Sequence, residues 1–231
     1  MAGTLLLACQ GQTGTDQVPV GPTEAEAARL DAAVSAVNTA RTAVLAGPDA
    51  VTAAATALDG ADEACATGQR DLAAEARSTA RAAAARVPAA TAGLPAQLTA
   101  YREALTELEA AAAPLEEQQQ AALAEAAAAG EAEAAALADF GQAAAGLWPS
   151  YAALDDVQST WLDRASAGWF RTQREAADAY AVLRKPVLPG LEQARATLAR
   201  ADSARRPATE RMRGALATAD RALDALRAPV G

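Results

Sequence analysis

The chain contains no histidine. That removes the side chain best suited to general acid–base work near neutral pH, and the Glu-x-x-His pairing of di-metal bundles. No glycine-rich phosphate loop and no Ser-x-x-Lys is present either, so the sequence points away from an enzyme and calls for no cofactor and no metal. Positive charge is short: 20 Lys and Arg stand against 29 Asp and Glu, a net −9, whereas a nucleic-acid binder needs basic residues to neutralise phosphates. Two cysteines, Cys9 and Cys65, are too few for a disulfide framework. Isoleucine is absent and aromatics make up 3%, so little bulky apolar volume is available for a core. No run is long and apolar enough to cross a membrane in the mature chain.

What fills the chain is alanine, roughly a third of the residues and the strongest intrinsic helix former. Alanine buries little area, so at ~25 cal/mol per Å² its core is thin. Helices built from it must pack closely and over a long length. Val and Thr show no sustained alternation, so nothing reads as strand. The expectation is all-α: an elongated antiparallel bundle of five or six long, Ala-rich, heptad-patterned helices, as one domain over residues 23–231.

Thr23-Glu24-Ala25-Glu26 has capping-box spacing and starts the first helix. Its seam is Ala27, Leu30, Val34, Val37, Arg41 and Val44, and Gly47-Pro48 is expected to stop it. Val51, Leu58, Cys65, Leu72 and Thr79 recur every seven residues, with small companions at Ala54, Ala61 and Gly68. They predict one helix over 49–87 with Cys65 as a buried thiol. A third stretch, 95–147, carries Leu98, Tyr101, Leu105, Leu108 and Ala112, then Leu123, Gly130 and Leu137. Pro114 predicts a break between 112 and 120. Trp148-Pro149-Ser150 is expected to turn, followed by a helix over 150–184 that Pro186, Pro189 and Gly190 end. The last seam is Leu191, Leu198, Arg205, Met212, Ala219 and Leu226. It stays in register across Pro207, which predicts a kinked but continuous helix.

Three features could carry function. Phe140, Trp148, Tyr151, Trp161, Trp169, Phe170 and Tyr180 fall within a short stretch, and they either fill the thin core or form a binding surface. Trp161 and Trp169 continue the Leu154–Val157 stripe, so both are expected inside, with Phe170 the more exposed of the adjacent pair. Charge is segregated as well. Nine acids and no base lie from Glu103 to Asp139, and eight arginines lie from Arg195 to Arg227, so these stretches are expected to pair or to stay solvated. Glu125, Glu131, Glu133 and Asp139 form a carboxylate set without the histidines a di-metal site would need.

Leu5-Leu6-Leu7-Ala8-Cys9 resembles a bacterial lipobox, in which the cysteine becomes the lipidated N-terminus of a lipoprotein. Residues 10–20 are Gln-, Gly- and Thr-rich, as a tether would be. The eight residues before Cys9 lack the basic start of a secretory signal, and a start further upstream is expected to supply it. The resemblance implies lipid attachment at Cys9 and a place on the extracytoplasmic face of the cell envelope. There the chain would act without catalysis, as a spacer or protein-interaction rod that meets a protein partner or associates with itself. A cytoplasmic helical adaptor or scaffold remains open, with residues 1–22 as a tail. So does a small-molecule or lipid carrier, which requires a cavity at the aromatic end.

Overall fold

The computed structural model describes residues 23–227, with side-chain environments as far as residue 224. The expected lipobox and tether, with Cys9, and the side chain of Leu226 lie outside the described residues. Among the described residues the chain is all-helical, in seven helices: α1 (Glu24–Ala66), α2 (Arg70–Ala84), α3 (Val87–Ala92), α4 (Leu94–Ala112), α5 (Glu117–Ser166), α6 (Gln173–Arg184) and α7 (Leu188–Arg227). They pack on one another as a bundle, with α5 and α7 the most extensive pairing.

Local sequence explains the starts. Thr23 and Glu26 form the reciprocal capping box, Thr23 N donating to Glu26 Oε2 at 2.7 Å. Thr172 accepts from Glu175 N at the start of α6, and Pro88 and Pro95 sit in the first turns of α3 and α4, where no backbone donor is lost.

Not every proline interrupts a helix where the sequence predicted. α1 runs through Gly47-Pro48 for 43 residues, and α5 runs through Trp148-Pro149-Ser150 for 50. Neither expected stop exists. Pro149 and Pro207 lie on exposed faces, as do Ala145 and Ser203 four residues back, so the carbonyls they free can be hydrated and α7 also continues. Pro189 and Gly190 sit inside the first turns of α7 instead of ending a helix. The two breaks that the sequence did not place fall at glycines. The predicted single helix over 49–87 ends α1 at Ala66, because Gly68 adopts φ +74°. A Cβ there would lie 2.0 Å from the Gln173 carbonyl oxygen, so the turn is glycine-only on two counts. The predicted helix over 150–184 breaks at Gly168, φ +75°. Gly168 N bonds the Ala165 carbonyl and Trp169 N the Arg164 carbonyl, the two bonds of a Schellman motif. The break after Ala112, at Pro114, the end of α6 at Arg184, before Pro186, and the start of α4 at Leu94 lie where the sequence placed them.

Three buried clusters succeed one another along the long helices. The first joins residues 30–44 of α1, 94–112 of α4, 123–137 of α5 and 212–223 of α7. The second joins 51–61 of α1, Ala80, Val87, 140–154 of α5, and Leu191 with Leu198 of α7. The third joins Ala64, Cys65, Ala73, Trp161, Ala176 and Tyr180. Close approach is literal: a Cβ on Gly130 would come within 2.4 Å of Leu105 Cδ2.

Candidate functional site

The aromatic residues divide between core and surface. Phe140, Tyr151, Trp161 and Tyr180 are buried. Trp161 donates its indole N–H to the Ala176 carbonyl at 2.7 Å, and Tyr180 meets it edge-on with centroids 5.7 Å apart. Trp148 is half-buried and tilts against Tyr151 at 6.0 Å. The adjacent pair is the reverse of the sequence expectation. Trp169 is 68% exposed, while Phe170 is half-buried and stacks on Trp161 at 6.4 Å. Helical spacing ends at Ser166, so counting eight residues on from Trp161 no longer returns to the same face. The sequence signal for this was Gly168 in Ala-Gly-Trp, a glycine helix stop read as helix interior.

Each tyrosine donates its hydroxyl to a carboxylate that an arginine also holds. In the first cluster Tyr101 Oη lies 2.7 Å from Glu133 Oε2, and Arg41 grips both oxygens at 2.7 and 2.9 Å while donating to the Thr209 carbonyl at 3.1 Å. One fully buried carboxylate thus ties α1, α4, α5 and α7 together. In the second, Tyr151 donates to Asp59 at 2.7 Å, and Arg195 pairs with Asp59 over the Tyr151 ring. In the third, Tyr180 donates to Asp62 at 2.6 Å and Arg184 holds both Asp62 oxygens. Burial, and then the neighbouring carboxylate, push all three phenols above their ordinary pKa. Cys65 is fully buried beside this third group, and burial followed by the Asp62 charge pushes its thiol up to about 12. The expected structural thiol is where the seam put it. Sequence reasoning missed these groups, though Arg41 and Arg205 stood out as arginines on apolar seams. Arg205 pairs with Asp202 and lies 5.3 Å from the Phe140 ring centroid.

The carboxylate set does not converge. Glu133 is taken by Arg41, Glu131 meets Arg102 at 3.5 Å, and Glu125 meets Arg211 at 3.0 Å. That last ion pair joins the acidic and arginine-rich stretches through exposed side chains.

Two surface features remain. The first is a tip at the third cluster, built from the turns at Gly68 and Gly168. The exposed large hydrophobics among the described residues are Leu72, Trp169 and Val182, carried by α2, the Gly168 turn and α6 of this end. The Arg164 guanidinium lies 5.5 Å from the Trp169 ring centroid. Residues 164–174 contain three arginines and no acid, although the chain as a whole is acidic. Between the turns lies a recess of about 390 Å³ bordered by Arg70, Leu72, Phe170 and Arg171.

The second is a trough along α5. α3 packs against α1, where a Cβ on Gly47 would come 3.1 Å from the Ala90 carbonyl oxygen. Leaning that way, α3 leaves α5 open beside Trp148. Hollows of about 550 and 600 Å³ meet there, sharing Thr91 and Trp148. At one end Asp155 is shared by Arg77, at 2.7 Å, and Arg81, at 2.9 Å. Burial would raise the Asp155 pKa, but the two guanidiniums outweigh it and hold the carboxyl below its usual range. The trough is a surface hollow beside Trp148, not a cavity within the aromatic core.

No known protein family, curated protein or solved structure matches the chain. Among the described residues no helix is long and apolar enough to cross a membrane.

Proposed function

We propose that the protein is a non-catalytic, lipid-anchored rod of the bacterial cell envelope, tethered at Cys9 and presenting the Trp169 tip to a protein partner. The order of residues in the three clusters supports an elongated, antiparallel bundle. Going from the first cluster to the third, numbers rise along α1 and α5 and fall along α4, α3 and α2, and along α7. That is the pattern of four rods running up, down, up and down. At 1.5 Å per residue the 43 residues of α1 span about 65 Å.

The observation that carries the reading is the placement of Trp169. It is an exposed tryptophan under an arginine, at the opposite end of α1 from Thr23 and any anchor preceding it. Trp and Arg are the residues that dominate binding energy at protein interfaces. The three tyrosine–carboxylate–arginine groups serve the rod by fixing register between alanine faces that would otherwise slide.

Fractionation of cells carrying the gene with its natural upstream region tests the anchor. Membrane association lost on Cys9→Ser is expected, whereas soluble protein in both cases would replace the envelope reading with the cytoplasmic adaptor. Photo-crosslinking from position 72, at the tip, should capture a partner that Trp169→Ala abolishes and that position 39, exposed far from the tip, does not capture. Equal capture from both positions would remove the tip from the account.

A further inference from the structure

We propose that the trough beside Trp148 binds a single-chain anionic amphiphile, its acyl chain lying along α5 and its head group beside Arg81. The trough lies apart from the Trp169 tip, and the inference does not depend on the tip or the anchor. Its polarity is arranged lengthwise. The middle is uncharged and mostly apolar, with small or flat side chains such as Ala84, Pro88, Ala145 and Ala152 beside the polar but neutral Thr91 and Gln142. Charged groups stand only at the ends, Arg81 and Asp155 at one and Arg102 at the other. A partner helix would bring polar groups along its whole length, whereas an amphiphile brings them at one end. From Ala138 to Asp155 the α5 wall rises about 25 Å, the scale of a long linear chain.

Charge decides which end takes the head. Arg77 and Arg81 share the single carboxylate of Asp155, which leaves one positive charge in excess. Arg102 is matched by Glu131 and adjoins the acidic stretch from Glu103 to Asp139. An anionic head is therefore favoured at Arg81 and disfavoured at Arg102. Trp148, half-buried where the two hollows meet, supplies a flat apolar wall at the midpoint.

Calorimetric titration of the full chain with monomeric hexadecanoate, dodecanoate and octanoate tests this. Saturable binding is expected, with Kd falling about two- to fourfold per added methylene, as partial to full burial requires. Ala145→Phe fills the trough from an exposed position and should weaken hexadecanoate at least about tenfold with the helical circular dichroism unchanged. Arg81→Gln should weaken hexadecanoate but not hexadecanol. Absence of saturable binding overturns the proposal, as does binding that Ala145→Phe leaves intact. Self-association of the wild type in sedimentation that Ala145→Phe abolishes, with no amphiphile bound, would assign the trough to a second copy instead.

Discussion

Glu133 has no exposure to water and two oxygens that must be satisfied by the chain itself. Arg41 and Tyr101 do so. Removing Arg41 leaves a buried charge without its counterion, and Arg41→Ala should cost about 3–5 kcal/mol in urea unfolding. Replacing the whole group by apolar residues, Arg41→Met with Glu133→Leu and Tyr101→Phe, should recover most of that. A triple variant as unstable as the single one would mean the group does more than satisfy itself. The indoles separate the same way. Trp161→Ala should cost about 3–5 kcal/mol, and Trp169→Ala less than about 0.5 kcal/mol. Equal melting losses would place Trp169 in the core after all. The Cys65 thiol, raised from 9.0 to about 12 in the fold, is neutral in the native state where the unfolded chain would ionise it. Its contribution is complete below about pH 9 and is lost as pH rises from there towards about 12. Cys65→Ala should flatten the first part of that alkaline decline, before the tyrosines join above about pH 10. An unchanged slope between pH 9 and 10 would contradict the assignment. At this scale the apolar seams were legible where one helix carries the heptad register; past the turn at Gly68 it is lost, and Leu72, expected on the seam, is exposed. The carboxylates were not, since an Asp on an outer helix position gives no sign of the tyrosine that reaches it from another helix.

For the helices, the sequence misleads where proline and glycine compete. Gly47-Pro48 and Trp148-Pro149 read as stops yet lie inside helices, since losing one backbone bond costs less than leaving a core layer unpaired. Gly68 read as a small seam residue carrying a helix onward, yet it is the turn. Spacing cannot distinguish the two, because only the approach of Gln173, from more than a hundred residues away, makes φ > 0 at Gly68 the better choice. The glycines therefore predict a graded series. Gly168→Ala meets no neighbour and should cost only the left-handed backbone penalty, about 1–2 kcal/mol. Gly68→Ala meets the same penalty plus a backbone clash and should cost more. Gly60→Ala, exposed within α1 with open space around it, should stabilise by about 0.5–1 kcal/mol. Thermal melts of the three variants check the order, and a stabilising Gly68→Ala would refute the reading of that turn.

The whole molecule follows from alanine. With a core this thin, burial is spread over three clusters along the long helices, each with its own rings and a tyrosine-bound carboxylate, buried at Glu133 and Asp62 and exposed at Asp59. That all-helical character was legible from composition alone. The exposure of Trp169 was not, because it depends on a turn at Gly168 that the periodicity passes over. In the proposed rod the Thr23 end and the Trp169 tip are far apart and rigidly held. A dipolar distance between spin labels at Ala28→Cys and Trp169→Cys, with Cys9 and Cys65 replaced by serine, measures it. The proposed rod predicts a narrow distribution near about 60 Å, set by the rise along α1. A compact globule of this length has a radius of gyration of about 17 Å, and a distribution centred below about 40 Å would contradict the rod.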